Sequence, residues 1–143
     1  MERAHIDISQ DLDGDAVVHA CFDLSPDELF AAAHAVATTT GERFRTSEMS
    51  GDDVVEMREL TALSDELGDL SRGASTVVLK PARLSALRDA VAVFVESRER
   101  AEWIREEDRQ PLALLREMVF PLEQVSSEAT RAALSPGDRH APH

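Results

Sequence analysis

Apolar and polar positions alternate from His5 to Leu24 and recur at helical spacing over most of residues 25–134, which predicts a strand pair followed by helices. The strand pair is interrupted by Asp11-Leu12-Asp13-Gly14-Asp15. Gly14 can take the left-handed conformation that ends a three-residue loop, closed by Asp11 opposite Asp15. That loop sets Ile8 opposite Val18 and Ile6 opposite Ala20. A two-residue Asp13-Gly14 turn would set Ile8 opposite His19, so the apolar pattern selects the longer loop. One face of the hairpin then carries Ile6, Ile8, Val18, Ala20 and Phe22, and is expected to pack on helices.

Ser25-Pro26-Asp27-Glu28 is a helix start, with an N-cap serine, a proline at the first helical position and Glu28 closing a capping box. Leu29, Phe30, Ala33, Val36 and Ala37 form its stripe. Thr38-Thr39-Thr40-Gly41 reads as its end, with 41–50 as a connector. Ser50-Gly51-Asp52-Asp53 marks a second start, and Leu60, Leu63, Leu67 and Leu70 make a narrow seam that Gly73 stops. The run Ser75 to Leu79, ahead of Pro81, suits a short buried strand beside the hairpin.

Pro81 opens what reads as the longest helix, reaching Glu106, with residues 90–95 apolar on nearly every side. Such a helix is either central or covered in part by another subunit. The charged stretch Arg105 to Gln110 reads as a turn into a further helix carrying Leu112, Leu115, Val119 and Leu122, which Pro121 should kink or split. The expected architecture is α+β and helix-dominated. An N-terminal hairpin and one short strand pack on four to five helices around the long central one, in a single domain over 1–135 with a loose tail over 136–143.

Length sharpens this picture, because 143 residues suit one core and not two. With 43% apolar and 30% charged residues, the chain is neither a membrane protein nor disordered throughout. Cys21 is the only cysteine, so no intramolecular disulfide forms. The N-terminus shows no leader pattern, and the cytoplasm is the expected compartment.

Asp and Glu number 28 against 15 Lys and Arg, a net charge of −13 that opposes direct contact with nucleic acid or anionic membranes. The charge is uneven: residues 1–30 and 48–70 each carry net −7, whereas 80–105 carry +2. That asymmetry suits self-association or an acidic surface offered to a basic protein partner.

Candidate chemistry is sparse. Asp11, Asp13 and Asp15 resemble the start of a calcium loop, but Ala16 stands where glycine is required and Phe22 where a bidentate glutamate belongs, so they read as a hairpin tip. The same hairpin register gathers His5, Asp7, His19 and Cys21 on one face, four residue types that can ligate zinc, although His-x-Cys on one strand is not a specific metal signature. His34 stands among alanines with no acid beside it and reads as a core or edge histidine. A nucleophilic Cys21/His34 pair lacks any supporting motif. No catalytic residue and no cofactor is implied.

The sequence thus points to a non-catalytic cytoplasmic binding or regulatory module. It is expected to be a homodimer joined through Val91, Phe94 and Val95 or through Leu112, Leu115 and Val119. Two alternatives are a small enzyme or metal-binding protein using the His5/Asp7/His19/Cys21 face, and an acidic decoy of a nucleic-acid-binding surface.

Overall fold

The computed structural model describes residues 1–46, 58, 60–67 and 76–134. In chain order these form β1 (Glu2–Gln10), β2 (Ala16–Asp23), α1 (Pro26–Thr46), α2 (helical over 60–67), β3 (Thr76–Leu79), α3 (Pro81–Arg100) and α4 (Glu106–Leu134). The architecture is the expected helix-dominated α+β one, with a three-stranded antiparallel sheet in the order β1-β2-β3.

The hairpin turn forms as its residues require. The Asp11 N–H donates to the Asp15 carbonyl at 3.0 Å, the Gly14 N–H donates to the Asp11 carbonyl at 3.1 Å, and Gly14 sits at φ +84°. Asp11 Oδ1 accepts the N–H groups of Asp13 and Asp15, both at 2.9 Å, so that carboxylate braces the loop. The register follows: Ile8 faces Val18, Ile6 faces Ala20, Asp7 faces His19 and His5 faces Cys21. On the other side of β2, Ala20 faces Leu79 and Phe22 faces Val77. Val18, Ala20, Phe22, Val77 and Leu79 are buried and form the sheet's contribution to one apolar core.

α1 starts on its capping box. The Ser25 N–H donates to Glu28 Oε1 at 3.0 Å, and the Glu28 N–H donates to Ser25 Oγ at 3.2 Å. The helix does not end at Thr38-Gly41 but runs to Thr46. Thr40 Oγ1 donates to the Val36 carbonyl at 2.7 Å, so its hydroxyl is satisfied inside the helix. Ala31, Ala32, Ala35 and Val36 are fully buried and hold this face against the core.

The helical hairpin also differs from expectation. α3 stops at Arg100, with Ala101 extended at φ −71°, ψ 142°, and α4 already begins at Glu106. The turn therefore lies at 101–105, ahead of the Arg105 to Gln110 stretch that the charge pattern suggested. Electrostatics favour this placement: Arg98 and Arg100 lie on the negative C-terminal end of α3, and Glu106, Glu107 and Asp108 on the positive N-terminal end of α4. Among the described residues the longest helix is consequently α4, with 29 residues, and not the Pro81 helix. Pro121 does not split α4. It forfeits one backbone hydrogen bond, but Leu115, Met118, Leu122 and Val125 on both sides of it are buried in the same core.

In α2, Leu60, Leu63 and Leu67 are buried in the core. Glu66 forms an ion pair with Arg83 of α3. Leu70, the Ser50–Asp53 helix start, Gly73 and the tail over 136–143 lie outside the described residues. No helix among the described residues is long and apolar enough to cross a membrane.

Candidate functional site

A buried carboxylate stands where α1, α3 and α4 meet. Asp108, 4% exposed on the first turn of α4, accepts a hydrogen bond at Oδ1 from His34 Nε2 of α1 at 2.7 Å. Its other oxygen accepts one from Arg98 Nε of α3 at 3.2 Å. An ionised aspartate only accepts, so His34 carries its proton on Nε2. Arg98 also reaches Glu42 Oε1 with both terminal nitrogens at 3.3 Å.

Aromatic rings complete the cluster. His34 meets the ring of Phe94 edge-on at 5.6 Å and stacks on Phe30 at 6.4 Å. The Arg98 guanidinium lies 4.7 Å from the Phe94 centroid, within cation–π range.

Burial pushes the Asp108 carboxyl up, but the hydrogen bonds from His34 and Arg98, together with the charge on both, outweigh that and hold it below its ordinary value. Ser97 Oγ donates to the Phe94 carbonyl at 2.9 Å and accepts from Arg98 at 2.9 Å. Asp108 is thus held as an acceptor, and the Ser97 hydroxyl is engaged by the Phe94 carbonyl and Arg98. The arrangement locks three helices together.

Beside the cluster lies a cleft of about 650 Å³, lined by Thr38, Glu42, Arg98, Trp103, Ile104 and Asp108 among others. Trp103, the only tryptophan, stands 73% exposed at its rim, in the turn between α3 and α4.

The hairpin presents a different surface. Asp7, Asp11, Asp13 and Asp15 are all exposed, and among the described residues no Lys or Arg pairs with them. Arg83, Arg88, Arg98, Arg100, Arg105, Arg109 and Arg116 each take a carboxylate within the helical layer. Negative charge is therefore left unbalanced on the hairpin.

His5, Asp7, His19 and Cys21 share the outer face in the expected register. Among the described residues, however, the set of three or more possible ligands drawn within 4.8 Å of one another is Asp11, Asp13 and Asp15 at the tip. His5 Nδ1 instead meets its own strand's Arg3 carbonyl at 2.9 Å. Burial raises the Cys21 thiol above its ordinary value and the Asp7 charge adds to this, which opposes the thiolate that a ligand or nucleophile needs. Cys21 lies on the sheet and His34 pairs across the helices with Asp108, so the two do not form a nucleophilic pair.

Val91, Phe94, Val95, Leu112 and Leu115 are buried in the chain's own core, and Val119 is half-buried against it. Within one chain α1, α4 and β2 cover Val91, Phe94 and Val95, while Val93 of the same helix stays exposed.

Sequence reasoning missed the His34–Asp108–Arg98 cluster. One signal was present: Asp108 falls four positions before Leu112 and seven before Leu115, on the buried stripe of α4. A charge on an apolar stripe requires a partner, but nothing in the sequence says which.

Comparison with protein families, with curated proteins and with solved structures finds no match to this chain.

Proposed function

We propose that the chain is a non-catalytic cytoplasmic interaction module, homodimeric, that offers the acidic outer face and tip of its hairpin to a basic protein partner. The observation that carries this reading is the contrast between the paired arginines of the helical layer and the exposed, uncompensated Asp7, Asp11, Asp13 and Asp15. Such a patch steers a cationic surface at long range and repels nucleic acid and anionic lipid.

Affinity purification from the native cell with wild type and with Asp13→Lys/Asp15→Lys tests it. A basic protein recovered at low salt, and lost both at high salt and with the charge-reversed variant, is the expected result. Recovery indifferent to charge reversal would overturn the reading. Near-stoichiometric zinc lost in His19→Ala would instead favour a metal-binding protein built on the outer face.

A further inference from the structure

β1 is an edge strand of nine residues, and its burial pattern is exposed at every position except the half-buried Ile6 and Ile8. The direction of its free backbone groups follows from the turn. The Asp11 N–H points at β2, where it meets the Asp15 carbonyl. Alternation along an antiparallel strand then turns the N–H and C=O of Ser9, Asp7 and His5 toward β2, and those of Gln10, Ile8 and Ile6 outward. The regular stretch is bounded at the other end by the register shift between Glu2 and His5, where Arg3 sits at φ +53°. Seven residues, His5 to Asp11, therefore present a straight, unpaired edge among the described residues.

We infer that this edge pairs antiparallel with β1 of a second copy, on a two-fold axis at Ile8, joining two three-stranded sheets into one of six strands. This deepens the homodimer of the reading above by naming its contact. Charge selects the register. Centring on Asp7 would oppose Asp7 to its own copy, and centring on Ser9 would oppose Asp7 to Asp11, both like-charge pairs. Centring on Ile6 would run each strand into the other's bulge. Centring on Ile8 sets His5 opposite Asp11, Ile6 opposite Gln10, Asp7 opposite Ser9 and Ile8 opposite Ile8, with every outward N–H and C=O of the stretch engaged.

Leu12, an apolar side chain wholly exposed in one copy, follows this stretch in the turn. The two tips themselves lie about 34 Å apart at 3.4 Å per residue, well beyond a screening length of about 8 Å, so net repulsion between them is small. The contact uses the strand's edge and leaves the outer face open to a basic partner.

Light scattering and site-directed crosslinking decide the matter. Wild type at high micromolar concentration should show twice the 15.7 kDa chain mass. Gln10→Pro should return it to the single-chain mass with an unchanged circular dichroism spectrum, because the Gln10 N–H makes no bond within the chain. In a Cys21→Ala background, Ile8→Cys should oxidise to a covalent dimer, since facing residues of a hydrogen-bonded pair lie about 5.5 Å apart, within disulfide reach. His5→Cys, six positions out of register with its copy, should not. A dimer that survives Gln10→Pro, or His5→Cys crosslinking as readily as Ile8→Cys, would overturn this contact while leaving the homodimer standing. A single-chain mass throughout would remove both, and the acidic-surface reading would stand or fall by charge reversal alone.

Discussion

His34 and Asp108, 74 residues apart in sequence, meet at 2.7 Å, and Arg98 closes on the same carboxylate from the opposite oxygen. One buried charge thereby ties α1, α3 and α4 to a common point. Breaking one side of such a contact leaves the remaining groups without a partner, which costs more than the pair itself contributes.

Asp108→Asn tests this directly, because it removes the charge while keeping the shape. Arg98 and His34 retain some access to water, so the loss should be moderate, about 2–3 kcal/mol by urea denaturation. His34→Gln leaves the Arg98 contact intact and should cost less. A double-mutant cycle should show coupling of about 1 kcal/mol or more between the two positions.

Acid sensitivity follows from the same carboxylate. Its folded value lies below the ordinary one of 3.8, so the unfolded chain takes up the proton first as pH falls. The stabilisation is present in full above the ordinary value and is lost as pH drops through the folded value. Denaturation midpoints from pH 6 down to about 2 should therefore fall more steeply for wild type than for Asp108→Asn.

Gly14→Ala isolates a backbone effect. An added Cβ meets nothing within 4 Å, so any cost comes from holding alanine at φ +84°. The expected destabilisation is about 1 kcal/mol, and Gly14→Asn should recover much of it because asparagine tolerates the left-handed region. Thermal unfolding of the two variants checks this.

Leu115→Ala separates the core from the dimer. Leu115 is fully buried in one chain, so truncation should cost about 2–5 kcal/mol of folding stability. The dimer mass of the folded fraction should not change. Concentration-dependent loss of that mass in Leu115→Ala would place the contact on α4 instead of β1.

The sequence alone determined what local rules control. Gly14 and the apolar alternation set the hairpin and its register, Ser25 and Glu28 set the start of α1, and Pro81 set that of α3, because turn geometry, capping and pleat parity act within a few residues. Helix ends were less legible. Gly41 and the stretch from Ala101 to Gln110 carry signals that tertiary packing overrode, since the buried face of α1 outweighs a weak stop and the α3–α4 turn is placed where Ile104 and Asp108 can reach the core.

Only the tertiary structure decided the site. That His34 and Arg98 belong to Asp108, and that the Val91–Val95 stripe is covered within the chain, depends on which helix faces lie together. Spacing along each helix names a buried face but not its neighbour, because burial is non-directional and many pairings satisfy the same pattern. The charged residues then fix on whichever partners that packing brings within hydrogen-bond reach.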